Sequence, residues 1–73
     1  KPGIVYNVSK LLAEKSINIA DLRTEKTNNL YVMFIQAEIP QGLDIKEFEN
    51  EIENLKNVLN VDIAVENIDT ANL

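Results

Sequence analysis

The strongest structural signal in this chain lies in residues 30–39, which read LYVMFIQAEI. Successive side chains of a strand point to opposite faces, so every second residue of this stretch shares a face. One such set is wholly apolar and consists of Tyr31, Met33, Ile35, Ala37 and Ile39. This alternation predicts a strand from Leu30 to Ile39 that packs against helices on its apolar face.

The opposite face of the same strand is apolar at Leu30, Val32 and Phe34 and becomes polar at Gln36 and Glu38. If helices cover only one face of the sheet, these three apolar side chains need another cover. A loop or the tail of the chain is one candidate, and a second copy or a second domain is the other. We favour the second and predict that Leu30, Val32 and Phe34 form an interface.

A first helix is predicted from Ile4 to Lys15, directly after Pro2 and Gly3, a dipeptide typical of a helix entry. Its apolar positions are spaced by four, three and one residues, which places them on one stripe of a helix. They are Ile4, Val8, Leu11 and Leu12. Lys10 and Lys15 lie towards the carboxyl end, where cations suit the helix dipole.

A second helix is predicted from Asp44 to about Lys56. Asp44 has the residue type of an N-cap, and Glu47 follows three residues later in a capping-box arrangement. The apolar stripe of this helix contains Ile45, Phe48, Ile52 and Leu55. Its acidic residues are Glu47, Glu49, Glu51 and Glu53. We interpret them as a solvated face, because no loop converges their oxygens on a cation.

The segment after the first helix contains two pairs of residues of opposite parity. The pairs are Ile17 with Ile19 and Leu22 with Thr24. A bulge around Ala20–Asp21 would bring both pairs to the same face of a strand. Asparagine tolerates the positive φ of a tight turn, so Asn28–Asn29 predicts a hairpin turn before the next strand.

Residues 58–67 alternate between apolar and polar side chains and predict a last strand from Val58 to Asn67. The order helix, strand, strand, helix, strand is that of a ferredoxin-like βαββαβ sandwich without its first strand. We therefore expect an α+β fold with an antiparallel sheet and two helices on one face. The domain would span residues 1–68, and residues 69–73 would be a tail or linker.

The absent first strand has a structural consequence. In that topology it lies in the interior of the sheet, between the third and fourth strands, and its loss would leave backbone groups of both neighbours unpaired. We expect either that residues precede Lys1 in the native protein or that another segment fills the gap. A last strand paired directly with the Leu30–Ile39 strand would contradict this expectation.

Composition excludes several functions. The 73 residues include neither cysteine nor histidine, so disulfides, thiolate catalysis and thiolate metal sites are excluded. Seven scattered basic residues against 12 acidic ones give a net charge of −5, which makes direct nucleic-acid binding improbable. A membrane-spanning helix needs about 20 apolar residues, and no run here approaches that length. With no nucleotide-binding glycine loop either, we expect a cytoplasmic, non-catalytic protein with no cofactor and no metal.

Three stretches resemble the opening of ACT domains. They are KPGIV at residues 1–5, VSKLLAE at residues 8–14 and INIADL at residues 17–22. The chain is most similar to the ACT domains of glycine cleavage system transcriptional repressors and of related stand-alone or tandem proteins, over nearly all of residues 1–68. Two positions depart from the family pattern: its acidic residue would precede Lys1, and Ser16 replaces its usual glycine.

The resemblance implies a regulatory domain that binds an amino acid or a similar small effector between two domains, in control of transcription or amino-acid metabolism. The domain would act as a homo-oligomer or beside a second ACT domain. The implied site contains Gly3, Ile4, Val5, Asn18 and Ile19. Amides at the start of the first helix suit an α-carboxylate. The Asn18 side chain would meet the ligand's polar groups, and Ile4 and Ile19 would supply apolar walls.

Each of these residues also has a purely structural interpretation. Gly3 would then only make a turn, Asn18 would only bridge backbone at a strand start, and Ile4 and Ile19 would belong to the core. At the level of function, the alternatives are a dimerisation or docking module without a ligand and a regulatory piece of a larger metabolic enzyme.

Overall fold

The computed structural model describes residues 3–68, which form two helices and three strands. In chain order these are α1 (Ile4–Glu14), β1 (Asn18–Thr27), β2 (Leu30–Glu38), α2 (Ile45–Leu59) and β3 (Asp62–Asn67). The strands form one sheet in the order β1–β2–β3. β1 is antiparallel to β2 and β3 is parallel to it, so the sheet is mixed and not antiparallel throughout as predicted. The fold is α+β and is compatible with a ferredoxin-like type.

The predicted first helix is confirmed as α1. Its buried residues Ile4, Val8 and Leu12 recur at intervals of one helical turn and face the sheet. The helix ends because Ser16 adopts a left-handed conformation with φ of 61°. There the Ser16 amide donates to the Ala13 carbonyl oxygen at 3.0 Å, and the Ile17 amide to that of Leu12 at 2.9 Å. These two bonds form a Schellman motif, which satisfies carbonyls that the last turn would otherwise leave unpaired.

The predicted bulge in β1 is confirmed. Ile19 pairs with Ala37 and Leu22 pairs with Ile35, and the register of β1 against β2 shifts between Ile19 and Asp21. The extra residue brings Ile19 and Leu22 to the same face, where both pack against the core. The hairpin turn at residues 28–29 is also confirmed, with Asn28 at φ of 56°.

The alternation predicted for β2 is confirmed. Met33, Ile35 and Ala37 are buried on the helix-covered face, while Leu30 and Phe34 are exposed on the other. The strand ends at Glu38, one residue earlier than predicted.

The second helix begins where the sequence predicts and ends later. Asp44 is its N-cap, and the Asp44 Oδ1 atom accepts a hydrogen bond of 3.1 Å from the Glu47 amide. The helix continues to Leu59, whose side chain packs against the core, and stops at Asn60 with φ of 56°. The prediction that a strand begins at Val58 is therefore wrong, and β3 starts at Asp62.

The structure also contradicts the predicted gap in the sheet. β3 pairs directly with β2, from Val32 opposite Asp62 to Ala37 opposite Asn67. The Ile68 amide extends the ladder with a bond of 2.8 Å to the Ala37 carbonyl oxygen. The crossover through α2 brings the chain back parallel to β2. β3 therefore pairs with the backbone groups on the edge of β2 that were expected to be unpaired.

One hydrophobic core lies between the sheet and the helices. It contains Ile4, Val8, Leu12, Ile17, Met33, Ile35, Ala37, Phe48, Ile52, Val61 and Ile63. Leu12, Met33, Ile35 and Val8 have the largest fully buried side chains. Because every element except β1 contributes a buried residue, the core holds both ends of α1 and the middle of α2 in fixed positions on the sheet. No polar side chain among residues 3–68 is fully buried.

Candidate functional site

The start of α1 is a glycine turn that leads into a helix without a side-chain cap. Gly3 precedes the helix with φ of 99°, a left-handed conformation that other residues rarely adopt. A β-carbon at Gly3 would meet only the side-chain Nδ2 atom of Asn7, at 3.6 Å. Steric space therefore does not require glycine here, whereas the positive φ does. The Asn7 side chain donates to the Gly3 carbonyl oxygen at 2.7 Å, which ties the turn to the helix.

The first-turn amides of α1 have no side-chain cap, and the first turn carries no acidic residue. Such amides, together with the helix dipole, favour a carboxylate or phosphate oxygen. Ile4 is buried in the core, so its side chain anchors the turn while its backbone amide stays at the helix start. Val5, the next residue, is 42% exposed.

Asn18 and Ile19 lie at the start of β1, beyond the other end of α1. The Asn18 side chain is exposed, and its Nδ2 atom donates to Glu38 Oε1 at 3.1 Å across the strand pair. Ile19 is half-buried and packs against the core. An 11-residue helix is about 16 Å long, so one chain does not bring Gly3 and Asn18 together. Roles for Ile4 and Ile19 as ligand walls stay predictions.

The face of the sheet that the helices leave open carries the predicted interface residues. Leu30 is 52% exposed and Phe34 is 40% exposed, with half-buried Val32 between them. Ala64 of β3 lies opposite Phe34 and extends the apolar strip across the strands. The strip is bordered by Asp21, Arg23, Glu25, Gln36, Asp62 and Glu66. Within residues 3–68 no helix covers this face.

A groove that the sequence does not predict lies between α2 and β3. Its volume is about 530 Å³. Its apolar walls are formed by Ile39, Ile45, Phe48, Ile52, Ile63 and Val65. Glu49, Glu53 and Asn67 are the polar residues of its lining. The sequence predicts only part of this groove. Ile45 belongs to the predicted apolar stripe of α2, but Glu49 and Glu53 have the spacing of an ordinary solvated helix face.

Two lysines form ion pairs that support the helix layer. Lys15 Nζ lies 2.7 Å from Glu51 Oε1 and 3.8 Å from Glu47 Oε1. The hydrogen bond to Glu51 is the main cause of a raised pKa of Lys15. Lys56 Nζ lies 3.4 Å from Glu53 Oε1, and the hydrogen bond to Glu53 likewise raises the pKa of Lys56. Both amines therefore stay protonated at neutral pH, as structural cations.

The described part of the chain contains no group of three or more acidic, cysteine or histidine side chains placed to hold a metal ion. Within the same residues no helix is long and apolar enough to span a membrane.

Comparison with known proteins identifies relatives in methanogenic archaea. A UPF0237 protein of Methanococcus maripaludis is 36% identical over 67 residues, which cover 90% of this chain and 74% of that protein. A UPF0237 protein of Methanocaldococcus jannaschii is 31% identical over 70 residues, which cover 94% of this chain and 78% of that protein. The chain belongs to the UPF0237 family.

A third UPF0237 protein, from Methanopyrus kandleri, is 27% identical over 70 residues, with the same coverage of 94% and 78%. No family model matches the chain, and no solved structure matches it. The likeness of this UPF0237 chain to ACT domains therefore rests on the sequence stretches quoted above.

Proposed function

We propose that this UPF0237 chain is a ferredoxin-like, ACT-type regulatory domain of the cytoplasm that binds an amino acid at an interface between two domains and catalyses no reaction. The observation that carries the proposal is the uncapped first turn of α1 behind left-handed Gly3. Its free amides suit an α-carboxylate, the group that all amino acids share. The absence of cysteine and histidine from the sequence agrees with a binding role.

The separation of the two halves of the implied site supports binding between two copies. Because Gly3 and Asn18 lie at opposite ends of α1, a ligand that touches both must contact α1 of one copy and β1 of another. Two equivalent sites would follow in a two-fold symmetric pair. The exposed strip of Leu30, Val32 and Phe34 gives such a pair an apolar surface to bury.

The first test is calorimetry of the chain against each proteinogenic amino acid, up to millimolar concentration. We expect saturable binding of at least one of them. In Val5→Asp a carboxylate enters the first turn, where it stabilises the helix by about 0.3–1 kcal/mol and repels a ligand carboxylate. This variant should bind at least about tenfold more weakly while folding as well as the wild type.

Val5→Thr is the matched control, since it changes the same exposed side chain without adding charge and should keep the affinity. Absence of binding by every amino acid, or equal affinity of Val5→Asp and the wild type, would contradict the proposal.

Mixing two deficient variants tests whether the site is shared. Val5→Asp damages the helix start, and Asn18→Ala removes the side-chain amide of β1, so neither variant alone forms an intact shared site. A mixed pair contains one site built from the unaltered α1 start of one copy and the unaltered Asn18 of the other. Binding should therefore return on mixing. The exposed Asn54→Ala on α2 serves as a control that leaves both ends of the site unchanged.

A dimerisation or docking module without a ligand is the second candidate function. The observation that favours it is the exposure of Leu30 and Phe34, two large apolar side chains on one open face. A pair in sedimentation that binds no amino acid, and that Phe34→Glu separates into monomers, would favour this alternative.

A further inference from the structure

The outer edge of β3 has no strand partner among residues 3–68. The sheet order is β1–β2–β3, and β3 uses its other edge to pair with β2. A free edge presents a row of backbone N–H and C=O groups and is a template for a further strand. The six residues of β3, Asp62–Asn67, are enough to pair with a short extended segment.

The groove between α2 and β3 lies along this edge. Glu47 and Glu51 point towards Lys15 of α1, so the flank of α2 that carries Ile45, Glu49 and Glu53 faces away from α1. That second flank lines the groove together with Ile63 and Val65 of β3. Ile45 is 46% exposed, so the apolar stripe of α2 is not fully covered by the side chains of residues 3–68.

We propose that a partner protein adds an extended segment as a fourth strand to the free edge of β3, places alternate apolar side chains in the groove under α2 and sets a lysine or arginine against Glu49. Strand addition of this kind draws affinity from main-chain hydrogen bonds and specificity from pockets for alternate side chains. The groove supplies those pockets on the helix-covered side of the new strand. This proposal does not depend on the amino-acid site.

The charge of the groove selects a basic partner. Lys56 is shared between Glu53 and Asp62, at 3.4 Å from each. Glu49 has no ion-pair partner within residues 3–68, so the rim of the groove carries an excess of negative charge. A cation on the incoming segment would complement it and would fix the direction of the strand.

The same charges disfavour a second copy as the occupant. In a two-fold antiparallel pair of β3 strands centred on Ala64, Asp62 of each copy would lie opposite Glu66 of the other, and like charges directly opposite are destabilising. Any such pair would also bring the two Glu49 flanks together across the seam.

The test uses a short fluorescein-labelled peptide in which valine alternates with threonine and a lysine stands two residues after the last valine, on the same face as the valines. Fluorescence anisotropy measures its affinity, and amide hydrogen exchange by NMR locates it. We expect saturable binding below millimolar concentration and slower exchange of β3 amides. A control peptide with the same side chains but N-methyl groups on alternate backbone amides should bind about tenfold more weakly, because it cannot complete the ladder.

Charge variants separate this groove from general electrostatic attraction. Glu49→Lys should weaken binding of the lysine peptide roughly two- to fivefold and strengthen binding of a peptide with glutamate in that place. Glu25→Lys, the same change on the exposed face of β1, should leave both affinities nearly unchanged.

Three results would overturn the proposal. One is equal binding of the methylated and unmethylated peptides, and another is no saturable binding of any peptide at millimolar concentration. The third is a dimer of the chain alone with protected β3 amides, which would make a second copy the occupant of the edge.

Discussion

Lys15 Nζ lies 2.7 Å from Glu51 Oε1 and joins the carboxyl end of α1 to the middle of α2. Glu47 approaches the same amine to 3.8 Å. Glu47 and Glu51 are four residues apart on one helix and would repel each other without a cation between them. The sequence predicts these carboxylates as a solvated face. In the structure both stay partly exposed and also form ion pairs with Lys15.

Because of this ion pair, the chain should lose stability at alkaline pH. The pKa of Lys15 is raised above its ordinary value of 10.5, first by the hydrogen bond to Glu51 and then by the nearby charge of Glu47. A raised folded-state pKa gives stability that is complete below pH 10.5 and is lost as the pH rises through the folded-state value. Unfolding by urea should therefore show a steeper alkaline loss for the wild type than for Lys15→Met.

Lys10→Met is the control for that measurement, because Lys10 lies exposed on the same helix and has no ion pair among the described residues. It should keep the wild-type dependence above pH 10.5. Identical alkaline slopes for Lys15→Met and the wild type would show that the pair does not contribute.

Ser16→Gly should stabilise the chain. Ser16 holds φ of 61°, and this left-handed conformation costs a residue with a β-carbon about 1–2 kcal/mol. Glycine removes that cost but loses more conformational freedom on folding, so the expected net gain is about 0.5–1 kcal/mol. Ser9→Gly, inside α1, should instead destabilise by about 0.5–1 kcal/mol. Chemical denaturation measures both, and a loss of stability in Ser16→Gly would contradict the argument.

Asp44→Ala should cost about 1 kcal/mol, because it removes the acceptor for the Glu47 amide at the start of α2. Asp44→Asn keeps a side-chain oxygen at the same position and should cost much less. A comparison of the two urea midpoints at unchanged m-value tests the cap. Equal losses in both variants would point to charge and not to the hydrogen bond.

Substitutions at two neighbouring residues of β2 should change stability by very different amounts. Met33 is fully buried, and Met33→Ala should cost about 2–5 kcal/mol through lost burial and a cavity. Phe34 is 40% exposed on the open face, and Phe34→Thr should change monomer stability by less than about 1 kcal/mol. Thermal unfolding at low protein concentration separates the two effects. A large loss in Phe34→Thr would mean that its face is covered.

Residue patterns predict the parts of this fold that local chemistry determines. The conflict in parity between Ile19 and Leu22 is enough to predict the bulge, since only an extra residue brings both to the core. Asp44 and Glu47 are enough to locate the start of α2. The end of α2 is harder, because Val58 and Leu59 suit a strand as well as a helix. It is determined by the left-handed turn at Asn60.

The pairing of β2 with β3 and the groove beside it depend on long-range geometry. A ferredoxin-like topology without its first strand predicts a gap in the sheet, whereas in the structure β3 pairs directly with β2. Likewise Glu49 and Glu51 look alike in sequence, yet one lines a groove and the other binds Lys15. Which flank of α2 meets α1 is decided by how the helices pack on the sheet. The left-handed Gly3 at the helix entry, by contrast, follows from residue type.

The direct contact of β3 with β2 sets an order of assembly. The hairpin of β1 and β2 closes through a two-residue turn, but partners such as Gln36 and Glu66 are 30 positions apart. Contacts of such separation bring a larger entropy loss on closure and form after local ones. The hairpin and the two helices should therefore form early, with β3 docking last, after the rate-limiting transition state. Destabilising substitutions in β3 should speed unfolding far more than they slow folding.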